Sequence, residues 1–561
     1  MPLSSQRGPG VPPVASRGLA LFSGGSGRNP PMLSVALVVA TTLLAPPPRL
    51  VVILAIDQFR TDYLTRFQDL YIPTGDETGG FRYLMEYGAW FVNAEYNHVP
   101  TETGPGHATI GTGAPPGIHG IVANSWWADG KSVYCVDDPD AKDVLTGAAS
   151  ASPRNLLVST LTDEVERATG GKSYSLSVAL KDRAAILMAG RSADMVFWFN
   201  SSRLAWTTST YYAKDGRLPD WVAGFNERVP AMIRDVRTWE QSLPEAAYVR
   251  TRPTVAPGAG ESFGTTFPHT VRSYSDWRMT PYANQLTLEL AKAGILAYGM
   301  GYDDIPDVVT ISLSANDYLG HAFGPDSPEM LEMCVRTDEA IRDFLVFLDR
   351  EVRGGLSSVA LAFTSDHGVC NVPEDEAARG FPMRRVSPRT VQQFVEDALQ
   401  QKYGRKDFLA SFDEAGVYLN QGALVQAKQD ARAVGRFIRD TLLQHPDVIA
   451  AYYMPEVAEG YLDDSPLTQR LRRSYRKGRS PDVYYILPPG FYPSAYPGGT
   501  GHGSPWSYDS RVPVIFIGPW FRPGRSTEPC TPEDIAPTLC DLAGAARPTG
   551  ATGRAIGLAV R

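Results

Sequence analysis

Four short segments of this chain end in the same way, and that recurrence limits the fold more than any other feature. Arg49–Ile56 (RLVVILAI) is a near-continuous apolar run that stops at Asp57. Ser173–Leu180 stops at Lys181-Asp182-Arg183, and Asp307–Leu313 (DVVTISL) leads into Ser314–Gly324, which carries Asp317. Ser357–Thr364 (SSVALAFT) stops at Ser365-Asp366-His367. Apolar runs of strand length without polar alternation fit strands covered on both faces, as in a parallel sheet. Ala89–Ala94, Asp194–Phe199 and Val512–Ile517 read as further strands. Phe81–Tyr87, Asn155–Thr169, Ala184–Ala189, Pro281–Ala297, Pro328–Val352 and a closing Pro532–Ala543 read as helices. Strands alternating with helices predict an α/β layered domain with a largely parallel central sheet. In such sheets ligands gather beyond the carboxyl ends of the strands. Asp57, Lys181, Asp317 and Asp366 are all placed there.

The 561 residues, 43% hydrophobic and 20% charged, suffice for one large domain with insertions. A formal net charge of -8 argues against nucleic acid as the main partner. Residues 1–31 are rich in Gly, Pro, Ser and Arg and read as unstructured. Met32 then opens the apolar run Leu33–Ala45, too short for a comfortable membrane span and suited to the core of a secretion signal. Arg7, Arg17 and Arg28 supply positive charge upstream; a start at Met32 would remove it. The expectation is a leader over 1–46, a secreted or periplasmic protein, and no stable membrane span once the signal is gone. The main domain is expected over 49–545, followed by a tail over 546–561. Two insertions are expected within it, at about 201–280 and about 372–498. The first is rich in Trp, Tyr, Pro and Gly and reads as an insertion or cap. The second contains predicted helices at Pro388–Tyr403 and Ala427–Gln444, and a basic stretch Arg470–Arg479 that reads as a solvated face. None of the five cysteines forms a CxxC pair, so no thiolate metal cluster is expected. Cys530 and Cys540 could bridge in an exported protein.

The chemistry centres on residues 96–127, YNHVPTETGPGHATIGTGAPPGIHGIVANSWW. Thr101 and Thr103 are candidate nucleophiles, and Gly104-Pro105-Gly106 lets the backbone bend tightly. A helix opening at Gly106 to His107 would aim free N–H groups at an anion. Asn124 is a neutral donor able to hold an oxyanion. Of the eight histidines, His321 lies four residues after Asp317, His367 follows Asp366, and His502 sits in the flexible GGTGHGSPW loop. Mixed Asp and His sets are what hydrolytic zinc sites use. Asp57, Asp366 and His367 could hold one metal that activates a threonine hydroxyl, and Asp317, His321 and His502 a second. Two metals about 4 Å apart can clamp the attacking and leaving oxygens of a phosphoryl group. Lys181 and Arg183 would add positive charge for phosphate oxygens. His98, His119, His269 and His445 are expected in packing or surface roles, and His107 is close enough to brace the threonine loop.

These residues fall in segments that resemble the alkaline phosphatase superfamily, and within it the Thr-nucleophile, phosphate-irrepressible (PafA-like) branch. The segments are AIDQFR at 55–60, TETGPGHATIGTG at 101–113, GIVANSWW at 120–127, LKDRAAI at 180–186, SANDYLGHAFGP at 314–325, TSDHGV at 364–369 and GTGHGSP at 499–505. The resemblance implies a three-layer sandwich, its sheet flanked by helices, with cap insertions that could form a substrate-selecting lid. It implies Thr103, rather than Thr101, as nucleophile. It also implies one Zn2+ on Asp57, Thr103, Asp366 and His367 and a second on Asp317, His321 and His502. Asn124, Lys181 and Arg183 match residues that contact the non-bridging phosphate oxygens. The implied activity is a two-zinc phosphomonoesterase acting on small-molecule phosphate esters through a phosphothreonine intermediate and releasing inorganic phosphate. Nucleotide pyrophosphatase/phosphodiesterases share the ligands and are the alternative, but typically lack the Lys-x-Arg pair. A monoester dianion presents an additional charged oxygen that wants cations, so Lys181 and Arg183 favour monoesters. A threonine in the nucleophile loop argues against sulfatase chemistry as the main function.

Overall fold

The computed structural model describes residues 46–75, 78–258, 263–413, 416–461 and 463–557. The expected leader and its secretion signal lie outside the described residues except at 46. The central sheet has nine strands: β1 (Leu50–Ile56), β2 (Ala89–Phe91), β3 (Ser175–Ala179), β4 (Met195–Asn200), β5 (Ala205–Thr207), β6 (Asp307–Leu313), β7 (Val359–Thr364), β8 (Val514–Ile517) and β9 (Gly524–Ser526). Their order across the sheet is β9-β2-β8-β7-β1-β6-β3-β4-β5. The middle five, β7-β1-β6-β3-β4, are parallel. β8 runs antiparallel to both β7 and β2, and β5 runs antiparallel to β4. Helices cover both faces, as the α/β pattern and the family resemblance predict.

Period-two alternation explains why β1 is apolar throughout. Leu50, Val52, Leu54 and Ile56 enter one core cluster, while Val51, Ile53 and Ala55 enter the cluster on the opposite face. Every residue of β1 is fully buried. The strand ends are also level. Ile56 pairs with Leu313, Ala55 with Thr364, and Ser312 with Ala179. Residues just past those ends therefore emerge side by side along one edge of the sheet.

Two local expectations change. The helix expected from Gly106 begins at Thr103 and runs as α1 (Thr103–Thr112). Pro105 does not block it, because a first-turn residue has no intrahelical N–H bond to lose. The helix expected from Asn155 begins at Leu161, where Thr160 and Asp163 form a reciprocal capping box. The stretch 201–280, expected as an insertion or cap, packs on the main core: Trp206, Trp239, Phe263 and Trp277 join the same cluster as Leu54 and Ile56. Its short helices and two-residue strands explain why its periodicity is weak.

Residues 372–498 behave differently. Leu409–Phe412, Val417–Leu419, Val483–Ile486 and Ala450–Tyr453 form a four-stranded antiparallel sheet with its own apolar cluster, packed with the helices Pro388–Tyr403 and Ala431–Leu442. The basic stretch expected as a solvated face is a tether instead. Arg470 pairs with Glu95 at 2.5 Å and donates to the Pro505 carbonyl at 2.7 Å. Arg473 pairs with buried Glu533, and Arg479 donates to the Gly120 and Asn155 carbonyls. Cys530 and Cys540 do not bridge: all five cysteines are free and buried, these two within one apolar cluster. Among the described residues, no helix is long and apolar enough to cross a membrane.

The loop carrying His502 is held by Asp509. Its Oδ2 accepts from the Ser504 N–H at 2.9 Å and the Ser504 hydroxyl at 2.6 Å, while its backbone carbonyl accepts from Gly368 N–H at 2.7 Å. Burial pushes the Asp509 carboxyl up to about 7, with the Ser504 donors opposing. The folded state therefore holds this proton more tightly than the unfolded chain. The resulting stabilisation is complete below about pH 4 and is lost as pH rises through about 7, a swing on the order of 4 kcal/mol from this one group. Urea unfolding of Asp509→Asn between pH 4.5 and 7.5 is expected to show that slope flattened; an unchanged slope would assign it to other groups.

Candidate functional site

Asp57 follows β1, Asp366 and His367 follow β7, and Lys181 follows β3, so three of the parallel central strands deliver them past the same end of the sheet. Lys181 immediately precedes α2 (Asp182–Ala189), and β6 leads into α3 (Ala315–Phe323). α3 places Asp317 and His321 four residues apart on one face, with His321 Nε2 3.1 Å from Asp317 Oδ1. His502 reaches the same carboxylate at 3.6 Å from its loop. Two triads result, Asp317–His321–His502 and Asp57–Asp366–His367, each with its ligand atoms within 4.8 Å of one another. The His367 and His502 rings stack at 3.5 Å, so the triads adjoin.

Each of the three triad histidines is oriented by the backbone. His321 Nδ1 lies 2.8 Å from Thr500 O, His367 Nδ1 3.0 Å from Gly368 O, and His502 Nδ1 2.8 Å from Thr101 O. A carbonyl can only accept, so Nδ1 carries the proton and Nε2 presents its lone pair to the triad. Burial holds His367 neutral, lowering it to about 3, and lowers His502 as well. Asp317 raises His321 against the opposing effect of burial. His367 Nε2 and Asp57 Oδ1 are buried with no hydrogen-bond partner. These inward-facing nitrogen and oxygen donors fit two divalent cations, and the mixed Asp/His set suits zinc.

Thr103 is 1% exposed at the start of α1, between the triads and two cations. Lys181 Nζ lies 3.4 Å and Arg183 Nη2 3.2 Å from its Oγ1. Thr101 is turned away, its hydroxyl donating to Ser504 O at 2.9 Å. Lys181 also bridges Asp57 Oδ2 at 2.6 Å and Asp317 Oδ2 at 2.5 Å. Burial raises the Asp57 carboxyl, Asp366 raises it further, and Lys181 opposes both. Burial acts the same way on Asp317, but His321 and Lys181 outweigh it and hold that carboxyl well below the usual range. Asn124 Oδ1 accepts the Gly104 N–H at 2.7 Å, so that N–H is engaged rather than free for an anion. With its oxygen so occupied, Asn124 is left with its NH2 group as the donor.

Several residues here gave no signal as isolated letters. Gln58, held at φ 62, donates its backbone N–H to Asp366 Oδ1 at 3.1 Å and its amide to Asp317 Oδ1 at 2.9 Å, tying one triad to the other. His107 does brace the loop: its Nδ1 lies 2.8 Å from Thr103 O and 3.2 Å from Asp366 Oδ2, and its Nε2 meets the Ser312 hydroxyl at 2.8 Å. Tyr134 donates to Asp182 at 2.6 Å and is met by Arg183 Nη1 at 3.3 Å. It arrives because the hairpin Ser125–Ala128/Lys131–Tyr134 pairs Ser125, next to Asn124, with Tyr134. Asp182 thus positions, through Tyr134, the guanidinium of the arginine beside it. Two glycines are needed for close approach: a Cβ at Gly106 would lie 2.4 Å from Asp366 O, and one at Gly320 would strike the Gln58 amide. His98, His119 and His269 are buried away from the triads, and His269 meets Glu329 at 3.1 Å.

Residues 51–510 match the family described as type I phosphodiesterase / nucleotide pyrophosphatase. The chain is 35% identical over 530 residues to alkaline phosphatase PafA of Elizabethkingia meningoseptica, covering 91% of this chain and 94% of that protein. It is 33% identical over 527 residues to alkaline phosphatase PhoV of Synechococcus elongatus, covering 91% and 92%. The crystal structure of wild-type PafA superposes with a TM-score of 0.85 at 34% identity, covering 91% of this chain and 98% of that one.

Outer partners of metal ligands typically govern affinity by about 10–100-fold. If the triads hold divalent cations, Gln58→Ala is accordingly expected to weaken their binding by about that factor, read with Zn2+ by competition with a chromophoric chelator. Unchanged affinity would reduce the amide to a packing role.

Proposed function

This chain belongs to the type I phosphodiesterase / nucleotide pyrophosphatase family and is an alkaline phosphatase of the PafA-like kind, and from that premise we propose that it hydrolyses phosphate monoesters with Thr103 as nucleophile. The observation that carries the proposal is the position of Thr103 Oγ1, within reach of both Lys181 and Arg183 and beside two metal-binding triads. Asp57, Thr103, Asp366 and His367 would hold one Zn2+, and Asp317, His321 and His502 the other. Zinc bound there supplies Lewis-acid charge that acidifies an attacking hydroxyl and neutralises a leaving oxygen.

The chain's own groups do the rest. Thr103 Oγ attacks phosphorus; the Oγ–P bond forms as the bond to the ester oxygen breaks, the hydroxyl proton ends on the departing alcohol, and a phosphothreonine is left. Water then attacks phosphorus from the vacated side, the Oγ–P bond breaks, a proton of that water passes to Thr103 Oγ, and inorganic phosphate departs. Arg183, oriented by Tyr134, and Lys181 meet charge on the non-bridging oxygens. The amide of Asn124 donates to another of these oxygens. His107 fixes the start of α1 against Asp366, so the nucleophile and one triad keep a set separation.

The test is the ratio of rates for an aryl phosphate monoester and the matching aryl methyl diester, on zinc-loaded protein with Thr103→Ala as blank. A strong monoester preference, abolished in the blank and reduced by about 10²-fold or more in Lys181→Ala/Arg183→Ala, is expected. A diester preference would move the protein to the phosphodiesterase side of its family. We further propose export, on the apolar run Leu33–Ala45 and the arginines before it. N-terminal sequencing of the native protein is expected to begin close to residue 46, and an intact leader would refute it.

A further inference from the structure

A loop asparagine can serve as a phosphate donor only if its amide is held in one place and one way round, because the two ends of an amide are alike in shape and opposite in hydrogen bonding. Asn124 lies on a loop, just before the strand Ser125–Ala128, and is only partly buried. Three of its polar groups are nevertheless engaged. Its carbonyl accepts the Cys135 N–H at 2.9 Å, its Oδ1 accepts the Gly104 N–H at 2.7 Å, and its own backbone N–H donates to Glu102 Oε2 at 2.6 Å. A backbone N–H can only donate, so the Gly104 contact turns the amide oxygen towards the nucleophile turn and leaves the NH2 group for another acceptor.

Two of those three contacts come from the residues on either side of Thr103. Glu102 precedes the nucleophile and Gly104 follows it, so the turn that carries Thr103 grips Asn124 from both sides. Glu102 is itself fixed by the helix. It is the residue that opens α1, and its carbonyl accepts the Gly106 N–H at 2.9 Å. The approach is close as well: a Cβ at Gly104 would lie 3.1 Å from Asn124 Oδ1 and 3.2 Å from Cys135 Sγ. A carboxylate here sets negative charge one residue from a nucleophile for phosphate. Helix capping does not account for it, because the Glu102 side chain makes no capping bond to α1. What the carboxylate supplies is a charged acceptor, and such bonds are short and roughly twice as strong as neutral ones.

We infer that Glu102 is a positioning residue for the phosphoryl-transfer step: through the Asn124 N–H it fixes where the Asn124 amide meets a non-bridging phosphate oxygen, relative to Thr103. The inference rests on the phosphomonoesterase reading above and adds a residue to it. Glu102 acts through Asn124 rather than on the substrate. Its bond ties the oxyanion donor to the start of α1, so donor and nucleophile keep one separation as the charge develops.

The experiment is a double-mutant cycle on zinc-loaded protein, with kcat and KM for phenyl phosphate measured in wild type, Asn124→Ala, Glu102→Ala and Glu102→Ala/Asn124→Ala. Glu102→Ala is expected to lower kcat/KM about ten-fold, and the same change in the Asn124→Ala background to lower it less than about two-fold. Glu102→Met, which keeps the length and removes the acceptor, is expected to match Glu102→Ala. Glu102→Gln, which keeps an acceptor oxygen without the charge, is expected to recover most of the loss. Calorimetry with orthovanadate is expected to repeat this order in binding, while zinc affinity and Tm stay at their wild-type values. Equal losses in the two backgrounds, a Glu102→Gln as slow as Glu102→Ala, or a fall in zinc affinity overturns the positioning role while the phosphatase reading stands. A wild type that does not hydrolyse phenyl phosphate overturns that reading and this inference with it.

Discussion

Asp57, Asp317 and Asp366 are buried side by side, and three carboxylates in one low-dielectric region demand compensating positive charge. Lys181 meets part of that demand by bridging Asp57 and Asp317, and His107 contacts Asp366. The opposite directions of the Asp57 and Asp317 carboxyls follow from this geometry. Asp57 has another acid as its strongest charged neighbour, whereas Asp317 has His321 and Lys181. A cluster that concentrates carboxylate oxygens and imidazole nitrogens has the donor set that suits divalent cations. Lys181 and Arg183 at its rim add positive charge to the same small volume, both reaching Thr103 Oγ1.

Such a cluster is costly to assemble, so the frame holding it must be rigid. The parallel strands provide this, because level registers bring their ends out together and β1 is covered on both faces. The tight approaches are made by residues without side chains: Gly106 lets α1 lie against Asp366, and Gly320 leaves room for Gln58. Gln58 adopts a left-handed backbone conformation, uncommon for a residue with a Cβ, and there its N–H and its amide each reach a carboxylate. The strain is local, and two hydrogen bonds to the triads compensate it.

The strand-end acids were legible in the sequence because a buried parallel strand leaves a plain signature, an apolar run of limited length stopping at a charged residue. The pairing of Asp317 with His321 was legible because helix geometry fixes the i, i+4 relation. The contributions of Gln58, Ser312 and Tyr134 were not, because their partners lie up to 308 positions away and only the folded register brings them together. The start of α1 was misplaced because Pro105 reads as a break, although first-turn positions tolerate it. The core packing of the Trp-rich stretch at 201–280 was hidden for a related reason: short helices and two-residue strands carry too few turns to show a period, yet their large rings join the main core. The arginines of 470–479 looked solvated because charge in sequence does not reveal whether a carboxylate or carbonyl waits on another element.

Those arginines connect the second insertion to the chemistry. The helix Pro466–Ser474 belongs to the insertion, yet Arg470 holds both Glu95 and the Pro505 carbonyl, three residues from His502. Glu95 also accepts from the Ser510 hydroxyl at 2.7 Å, next to Asp509. The loop that presents His502 to Asp317 is therefore clamped between the core and the inserted sheet. A shift of that sheet would move its aromatic residues and the His502 loop together, since Trp506 on that loop donates its indole N–H to Leu487 O at 3.1 Å. The element that differs most from the simple layered architecture is thus mechanically joined to one metal triad. Changes in the insertion therefore cannot move its aromatic residues without also disturbing the position of His502.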